Sequence, residues 1–295
     1  MNDFFKDKVV WIAGGAGFIG SHLADSILTQ HPAQLVVIDS FLTGSESNIA
    51  HLTNRVAENI LILKERVEHM DYASFVQHGS YAPPDVVFHL ASPASPVWYQ
   101  RYPIETYQAN TQGTHQLLTF VHQFAPKARF VYASTSEIYG DPLEHPQKET
   151  YWGNVNPNGP RSCYDEAKRM GETICGVFER KFGLDVRIVR IFNTYGPRMA
   201  IRDGRIIPNF IAQAVSDEPM TLYGDGTQTR SYCYVDDLVA GFLAMGSVAN
   251  LQGETINLGN PDEYTVLETA RVIYQPQTDL ALELENFAAP FCTNF

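Results

Sequence analysis

Short runs of valine and isoleucine alternate along this chain with longer segments in which apolar residues recur every three or four positions. Five of the runs are continuous enough to predict strands that are buried on both faces. They are VVWIAG (9–14), LVVID (35–39), VVFHLAS (86–92), RFVYAS (129–134) and VRIVRIFN (186–193). Segments such as FIGSHLADSILTQ and THQLLTFVHQF predict helices between them. Repeated strand–helix–strand units predict an α/β fold with a doubly wound parallel sheet and right-handed crossovers.

The pattern changes after residue 194. Turn sequences such as YGPRM, RDGR and YGDGTQ follow, around one clear helical pattern near residues 206–216. We therefore predict a sheet domain over residues 1–194 and a smaller lobe over residues 195–295. This lobe is expected to close over the sheet edge and to be partly interleaved with the first domain. Ligands of doubly wound sheets bind at the carboxyl ends of the strands, so we expect the site there.

Composition narrows the class of protein. The 295 residues are 44% hydrophobic and 18% charged, which is typical of a soluble globular protein. A formal net charge of −12 argues against a nucleic-acid or anionic-membrane partner, because phosphate binding requires clustered lysine and arginine. The N-terminal residues show no signal peptide or membrane anchor, so we expect a cytoplasmic protein. The cysteines form no C-x-x-C pair or metal-like cluster, so we expect no metal site and reduced thiols at Cys163, Cys175, Cys233 and Cys292.

A glycine-rich turn follows the first predicted strand. The sequence GGAGFIG places Gly14, Gly17 and Gly20 between that strand and a predicted helix. Glycines there let the backbone approach a pyrophosphate, which the helix N-terminus stabilises. Asp39 ends the second strand, where a carboxylate accepts hydrogen bonds from ribose hydroxyls and repels a 2′-phosphate. The pattern predicts a dinucleotide site that prefers NAD to NADP; the alternative is a tight turn without a ligand.

A tyrosine and a lysine lie four residues apart in CYDEAKR. On a helix, Tyr164 and Lys168 share one face. The pKa of free tyrosine is too high for a base at neutral pH. We expect the lysine ammonium, together with a positive nicotinamide ring, to lower the pKa of Tyr164. The alternative is an unremarkable pair on a solvated helix.

These residues, with Thr135, resemble the extended short-chain dehydrogenase/reductase family that acts on nucleotide sugars. Longer motifs are similar to its UDP-glucuronate decarboxylase branch over roughly residues 8–270. They are HLASPASP, STSEIYGDPLEHPQ, YWGNVNPNGPRSCYDEAKR, RIFNTYGPRM, DGRIIPNFI and YGDGTQTRSYCYVDDLV. The resemblance implies a Rossmann fold with a substrate-binding lobe. It also implies decarboxylation of UDP-glucuronate to UDP-xylose through a 4-keto intermediate, with bound NAD regenerated.

The resemblance assigns the catalytic roles to four residues. Tyr164 removes the proton of the C4′ hydroxyl, and Lys168 tunes Tyr164 and holds the nicotinamide ribose. Thr135 hydrogen-bonds the C4′ oxygen, and Glu137 lies beside C5′. Related 4,6-dehydratases carry Thr-Asp-Glu, whereas this chain has Thr135-Ser136-Glu137, and serine is a poor acid for dehydration. The triplet therefore indicates decarboxylation; a solvated or capping role for Glu137 is the alternative.

Further contacts are implied by the same resemblance. The cofactor contacts are Gly14, Gly17, Phe18, Ile19, Gly20, Asp39, Ser40, Phe41, Thr43, Gly44, Asp71, Leu90, Ala91, Tyr164 and Lys168. The substrate contacts are Ser136, Asn193, Asn209, Tyr223 and Arg230. Arg230 is expected to meet the diphosphate or ribose, with a surface ion pair as the alternative. We interpret His89 as a packed core residue.

The chain departs from this branch near its end. The family continues past YTVLE into a segment in which an arginine helps hold the substrate carboxylate. This sequence has no arginine after Arg271 and ends in LENFAAPFCTNF, which we expect to be an atypical or truncated tail. Either another basic group substitutes, or decarboxylation is impaired. The alternatives are another nucleotide-sugar 4-epimerase or 4,6-dehydratase, or an inactive NAD-binding homologue.

The resemblance also implies a homodimer. Members of the family pair through two long helices from each protomer. Residues 105–123 and 163–182 are expected to supply these helices.

Overall fold

The computed structural model describes residues 3–53, 59–77, 82–201 and 203–274. Its centre is a parallel sheet of seven strands in the order β10-β6-β5-β4-β1-β2-β3. The strands of this sheet are β1 (Val9–Ala13), β2 (Gln34–Asp39), β3 (Ile60–Lys64), β4 (Val86–His89), β5 (Arg129–Thr135), β6 (Asp185–Ile191) and β10 (Thr255–Leu258). The strand order reverses between β1 and β4, so the carboxyl ends of these two strands open a crevice.

In the part of the chain that the structure describes, four short strands lie outside this sheet. They are β7 (Thr194–Tyr195), β8 (Thr229–Ser231), β9 (Cys233–Tyr234) and β11 (Glu263–Thr265). The pairs β7–β9 and β8–β11 form two small sheets.

The described residues form α-helices on both faces of the large sheet and in the smaller lobe. They are α1 (Phe18–Leu28), α2 (Glu46–Thr53), α3 (Tyr72–Gln77), α4 (Pro96–Arg101), α5 (Pro103–Gln108), α6 (Thr114–Phe124), α7 (Ser162–Phe182), α8 (Ile206–Val215), α9 (Val235–Ser247) and α10 (Val266–Tyr274). A π-helical turn, Ala109–Gly113, joins α5 to α6, and a 3₁₀ turn, Ser136–Tyr139, follows β5. Within the described ranges, no helix combines the length and the apolar character that a bilayer crossing requires.

Alternate side chains of the central strands enter two separate cores. In β1, Val10 and Ile12 pack on the side of α1 and α9, whereas Trp11 and Ala13 pack on the side of α6 and α7. Both faces are apolar because both are covered, which is why the sequence shows continuous apolar runs rather than alternation. The predicted doubly wound α/β sheet is confirmed.

The smaller lobe has an apolar cluster of its own. Phe210 of α8 packs with Val266, Ala270 and Ile273 of α10. The helix predicted near residues 206–216 is present as α8. Beyond residue 194 the chain also returns to the large sheet, where β10 pairs with β6. The division at residue 194 stays a prediction, and the predicted atypical tail, with Cys292, lies outside the described residues.

Candidate active site

A cleft of about 710 Å³ lies at the carboxyl ends of the central strands. We call it the main cleft. The glycine turn lines it, and so do Thr135, Glu137, Tyr164 and Lys168. Its volume is in the range of small-molecule sites. The four residues predicted to be catalytic are therefore brought together at one site, although they come from two separate segments of the chain.

The glycine turn is tight for steric reasons. Gly14 has a φ of +87°, and a Cβ built on it would lie 2.7 Å from the backbone nitrogen of Ala91. A Cβ on Gly20 would collide with the carbonyl oxygen of Gly14. These contacts let α1 start directly against the end of β1, with the backbone N–H groups of its first turn at the main cleft. This glycine-lined helix start is suited to a pyrophosphate.

We expect Gly14→Ala to abolish NAD binding and to lower the free energy of unfolding by more than about 1 kcal/mol, because the new Cβ meets fixed backbone. A matched control is Gly183→Ala at the end of α7, where φ is +69° and no atom lies within 4 Å of the built Cβ. That control should cost about 1 kcal/mol from backbone strain alone and leave NAD affinity unchanged. Calorimetric NAD titration and urea unfolding measure both quantities. Normal NAD affinity in Gly14→Ala would contradict the assignment.

Asp39 supports the glycine turn. One carboxylate oxygen accepts a hydrogen bond from the Ala16 N–H at 2.9 Å, and the other accepts one from the Phe41 N–H at 2.8 Å. Burial raises the pKa of Asp39, and these two hydrogen bonds oppose the rise. The carboxylate therefore connects the glycine turn to the loop after β2. Its predicted contact with a ribose stays a prediction.

A smaller cleft of about 70 Å³ adjoins the main cleft beside Asp39. Of the predicted cofactor contacts, Gly14, Gly17, Asp39, Ser40, Thr43, Gly44, Leu90 and Ala91 line it. Three further carboxylates line it as well, from Glu65, Glu68 and Glu105. The sequence reasoning did not include Glu65 or Glu68. Arg66 lines this cleft too and pairs with Glu68 at 2.6 Å, so it offsets one of these carboxylates. The carboxylates of Asp39, Glu65 and Glu105 still outnumber this one arginine and disfavour a 2′-phosphate, in agreement with the predicted preference for NAD.

Some predicted contacts lie elsewhere. The residues that line the two clefts do not include Phe41, Asp71, Asn209 or Tyr223. The Asp71 carboxylate accepts hydrogen bonds from the N–H and hydroxyl of Ser74 and so caps α3. Tyr223 is 79% exposed. Ligand contacts by these four residues stay predictions. The main cleft is lined by five other predicted contacts, which are Phe18, Ile19, Ser136, Asn193 and Arg230.

Tyr164 is buried against an aromatic neighbour. Its ring stacks on Tyr99 with 5.0 Å between the ring centroids and 8° between the planes. The Thr135 side chain hydrogen-bonds the Tyr164 hydroxyl. Because Thr135 ends β5 and Tyr164 lies in the first turn of α7, the packing of this helix against the strand fixes the pair.

Burial raises the pKa of Tyr164 to about 12, while the Thr135 hydrogen bond and the charge of Arg205 oppose the rise. Lys168 is not among the main causes of this shift, and its Nζ donates to the carbonyl oxygen of Ala133 at 2.6 Å. The predicted lowering of the Tyr164 pKa by Lys168 stays a prediction. Burial also lowers the pKa of Lys168 to about 7, which weakens its charge at neutral pH. The contribution expected from a nicotinamide ring stays a prediction.

Glu137 faces the main cleft and pairs with Arg161. The Glu137 N–H donates to the Thr135 hydroxyl at 3.2 Å, which sets the start of the 3₁₀ turn. The Arg161 Nε lies 3.7 Å from Asp165, whose own pKa burial raises to about 6. Arg161 was missed from the sequence, although it stands three residues before Tyr164 in GPRSCY.

Among the residues that the structure describes, four arginines line the main cleft of this acidic protein: Arg161, Arg198, Arg205 and Arg230. Only Arg230 was predicted. Arg198 pairs with Asp25 at 2.7 Å, and Arg205 pairs with Asp203 at 2.5 Å. Guanidinium groups match the geometry of phosphate and carboxylate, so the cleft is suited to an anionic ligand.

His89 is buried in the sheet. Its Nε2 lies 3.1 Å from the Thr114 hydroxyl. Burial, and secondarily the charge of Lys168, lowers the pKa of His89 to about 3, so the ring is neutral. This is the environment of a packed core residue.

Comparison with known proteins places these features in context. Residues 10–259 match the NAD dependent epimerase/dehydratase family. UDP-glucuronic acid decarboxylase 1 of Arabidopsis thaliana is 48% identical over 266 residues, which are 89% of this chain and 57% of that protein. UDP-glucuronic acid decarboxylase 1 of Xenopus tropicalis is 46% identical over 268 residues, 91% of this chain and 60% of that protein. The chain thus spans less than two thirds of the length of these relatives.

A solved structure agrees with the fold. The UDP-glucuronic acid 4-epimerase of Bacillus cereus, in complex with UDP-glucuronic acid and NAD, superposes with a TM-score of 0.76 at 29% identity. The match covers 90% of this chain and 82% of that one.

Proposed function

The chain belongs to the NAD dependent epimerase/dehydratase family, and on that basis we propose that it decarboxylates UDP-glucuronate to UDP-xylose. Support comes from curated UDP-glucuronic acid decarboxylases that are 44–48% identical over about 90% of the chain. NAD is the cofactor of the family. The glycine turn, the start of α1 and the acidic cleft beside Asp39 form a wall that fits a dinucleotide without a 2′-phosphate.

The chemistry requires only a transient ketone. When bound, NAD accepts a hydride from C4′ of the sugar and later returns it. With a ketone at C4′, the uronic acid is a β-keto acid, so the C5′–C6′ bond breaks and its electron pair becomes an enolate. Carbon dioxide leaves, C5′ takes up a proton, and the ketone is reduced again. No net redox change results.

The residues on the cleft wall have complementary tasks. Tyr164 takes the proton of the C4′ hydroxyl, and Thr135, which hydrogen-bonds the Tyr164 hydroxyl, holds the C4′ oxygen. Glu137 is the carboxyl group available to supply the proton to C5′. Lys168 holds the ribose next to the nicotinamide. The observation that supports this proposal most directly is that these four side chains line the same cleft.

The deciding experiment is an assay with UDP-glucuronate and NAD, with carbon dioxide measured and the nucleotide sugar identified. We expect carbon dioxide and UDP-xylose in equal amounts. Release of no carbon dioxide by protein that binds NAD would refute the proposal. Turnover of UDP-glucose or a dTDP-hexose instead would identify an epimerase or dehydratase. NAD binding with no NADH signal for any sugar nucleotide would identify an inactive homologue.

Neither alternative is favoured. Thr135-Ser136-Glu137 lacks the aspartate with which dehydratases protonate a leaving hydroxyl. A protein that only binds NAD has no need for Tyr164 and Lys168 beside the glycine turn.

We also propose that the protein is a homodimer. Exposed apolar side chains lie on the outer faces of two helices that pack together, with Ile104 and Tyr107 on α5 and Met170 and Val177 on α7. Large apolar surfaces of this kind are typical of protein interfaces. The cytoplasmic location stays a prediction.

Val177→Glu should shift the protein from dimer to monomer, because it places a charge in the proposed apolar contact. Val248→Glu is a matched control, since Val177 is 44% and Val248 45% exposed and Val248 follows α9 on another element. Light scattering coupled to gel filtration measures the mass. A monomeric wild type, or equal dissociation of both variants, would contradict the proposed interface.

A further inference from the structure

Arg161 has a distinctive position among the arginines of the main cleft. It is the N-cap residue of α7, three residues before Tyr164. Its guanidinium pairs with Glu137, and its Nε lies 3.7 Å from Asp165. The side chain is nevertheless 46% exposed and lines the main cleft. It is therefore a cation held beside the proposed proton donor and base, with part of its surface open to a ligand.

The other arginines are held differently. Arg205 binds both carboxylate oxygens of Asp203, which is buried. Arg198 pairs with Asp25, which lies on α1 and does not line the main cleft. Arg230 donates to the carbonyl oxygen of Thr229 on the smaller lobe. Arg161 alone of these four pairs with a residue predicted to be catalytic.

We propose that Arg161 is the specificity-determining residue that binds the carboxylate of the uronic acid, and this inference rests on the function proposed above. A guanidinium forms parallel hydrogen bonds to a carboxylate, so the substrate carboxylate can replace Glu137 as its partner. After the exchange Arg161 still has one carboxylate partner, and Glu137 stays in the cleft beside it.

The exchange also prepares Glu137 for its task. Once released from Arg161, Glu137 is free to take a proton from solvent and to hold it beside C5′. When the C5′–C6′ bond breaks, its electron pair enters the enolate and carbon dioxide leaves as a neutral molecule. The proton on Glu137 then passes to C5′, and the resulting Glu137 carboxylate pairs with Arg161 again.

This role predicts an effect on binding more than on the chemical step. Negative charge leaves the substrate carboxylate as carbon dioxide forms. The interaction between the guanidinium and that carboxylate is therefore no stronger in the transition state than in the bound substrate. An interaction of this kind lowers KM without raising kcat. Loss of Arg161 should therefore raise KM by a larger factor than it lowers kcat.

The test compares two ligands that differ only in the carboxylate. In calorimetric titrations with NAD present, Arg161→Gln should weaken UDP-glucuronate binding by at least about tenfold, the loss expected for a charged hydrogen bond. Its affinity for UDP-xylose should change by less than about twofold, because that ligand has no carboxylate to lose. Arg161→Lys should recover part of the discrimination, since it keeps the charge without the planar fork. Arg230→Gln is the control, and it should weaken both ligands to the same extent.

Glu137→Gln supplies an independent test that does not remove the arginine. Without a competing carboxylate, Arg161 should bind UDP-glucuronate at least as tightly as in the wild type, while carbon dioxide release falls. The inference would be overturned if Arg161→Gln lost affinity for UDP-glucuronate and UDP-xylose equally. It would also be overturned if Arg161→Gln bound both ligands as the wild type does. Failure of the wild type to release carbon dioxide would instead refute the proposed function, so the two failures can be told apart.

Discussion

Tyr164→Phe is expected to lower the rate of carbon dioxide release by roughly 10²–10⁴-fold, the range for loss of a general base. The substitution removes only the hydroxyl that the Thr135 side chain hydrogen-bonds. The ring keeps its stacking contact with Tyr99, at 5.0 Å between centroids. Affinities for NAD and UDP-glucuronate should therefore stay close to those of the wild type. Initial rates and titrations of both ligands measure the two effects separately.

Tyr72→Phe is a matched control for this prediction. Tyr72 and Tyr164 are both 5% exposed, and the Tyr72 hydroxyl also makes a hydrogen bond, to the carbonyl oxygen of Val67 at 2.9 Å. Tyr72 lines neither cleft. Loss of the Tyr72 hydroxyl should lower the free energy of unfolding and leave the rate of carbon dioxide release unchanged. Turnover by Tyr164→Phe within tenfold of this control would remove Tyr164 as the base.

Glu172→Gln is expected to cause a large loss of stability, because it removes one partner of a buried charged pair. The Glu172 carboxylate accepts hydrogen bonds from Arg190 at 2.8 and 3.0 Å and from the Ser134 hydroxyl. Arg190 also donates to the Tyr139 hydroxyl at 2.9 Å. These contacts join α7, the end of β5 and β6 directly behind the catalytic wall. The two charged side chains are only 15% and 11% exposed.

Removal of the Glu172 charge leaves the Arg190 charge uncompensated and poorly solvated. In comparable buried pairs this lowers the free energy of unfolding by about 3 kcal/mol. Glu46→Gln is a control with the same chemical change in an exposed pair, where Glu46 and Lys64 are 78% and 69% exposed. That change should cost less than about 1 kcal/mol. Urea unfolding compares the two directly. A loss in Glu172→Gln no larger than in the control would show that the buried pair does not stabilise the protein.

Much of the fold follows from local patterns. The five apolar runs form strands that are buried on both faces, and the glycine spacing predicts the Gly14–Gly20 turn from adjacent residues. The close approach of Gly14 to Ala91 depends on the folded sheet. Two strands of the sheet, β3 and β10, were not predicted. The β3 run ILILK and the β10 run TINL are the two edge strands of the sheet, and most of their side chains are only partly buried. Their place in the sheet depends on pairing with β2 and β6.

The electrostatics of the site were less accessible to sequence reasoning. The spacing of Tyr164 and Lys168 indicates a shared helix face, but it does not reveal that Lys168 is directed at the Ala133 carbonyl oxygen. The pKa of Tyr164 is raised because the whole cleft wall buries it. The net direction of this shift therefore depends on burial, which the spacing of the two residues does not reveal.

Contiguous residues suffice to specify the strands, the glycine turn, the helical spacing of Tyr164 and Lys168 and the Thr-Ser-Glu triplet. These features depend on backbone geometry and on contacts within a few positions. The pairing of Glu137 with Arg161, the Glu172–Arg190 pair and the convergence of four arginines arise only when segments far apart in the chain pack together. Burial and charge–charge energies depend on all surrounding atoms, and the folded topology alone brings those atoms into place.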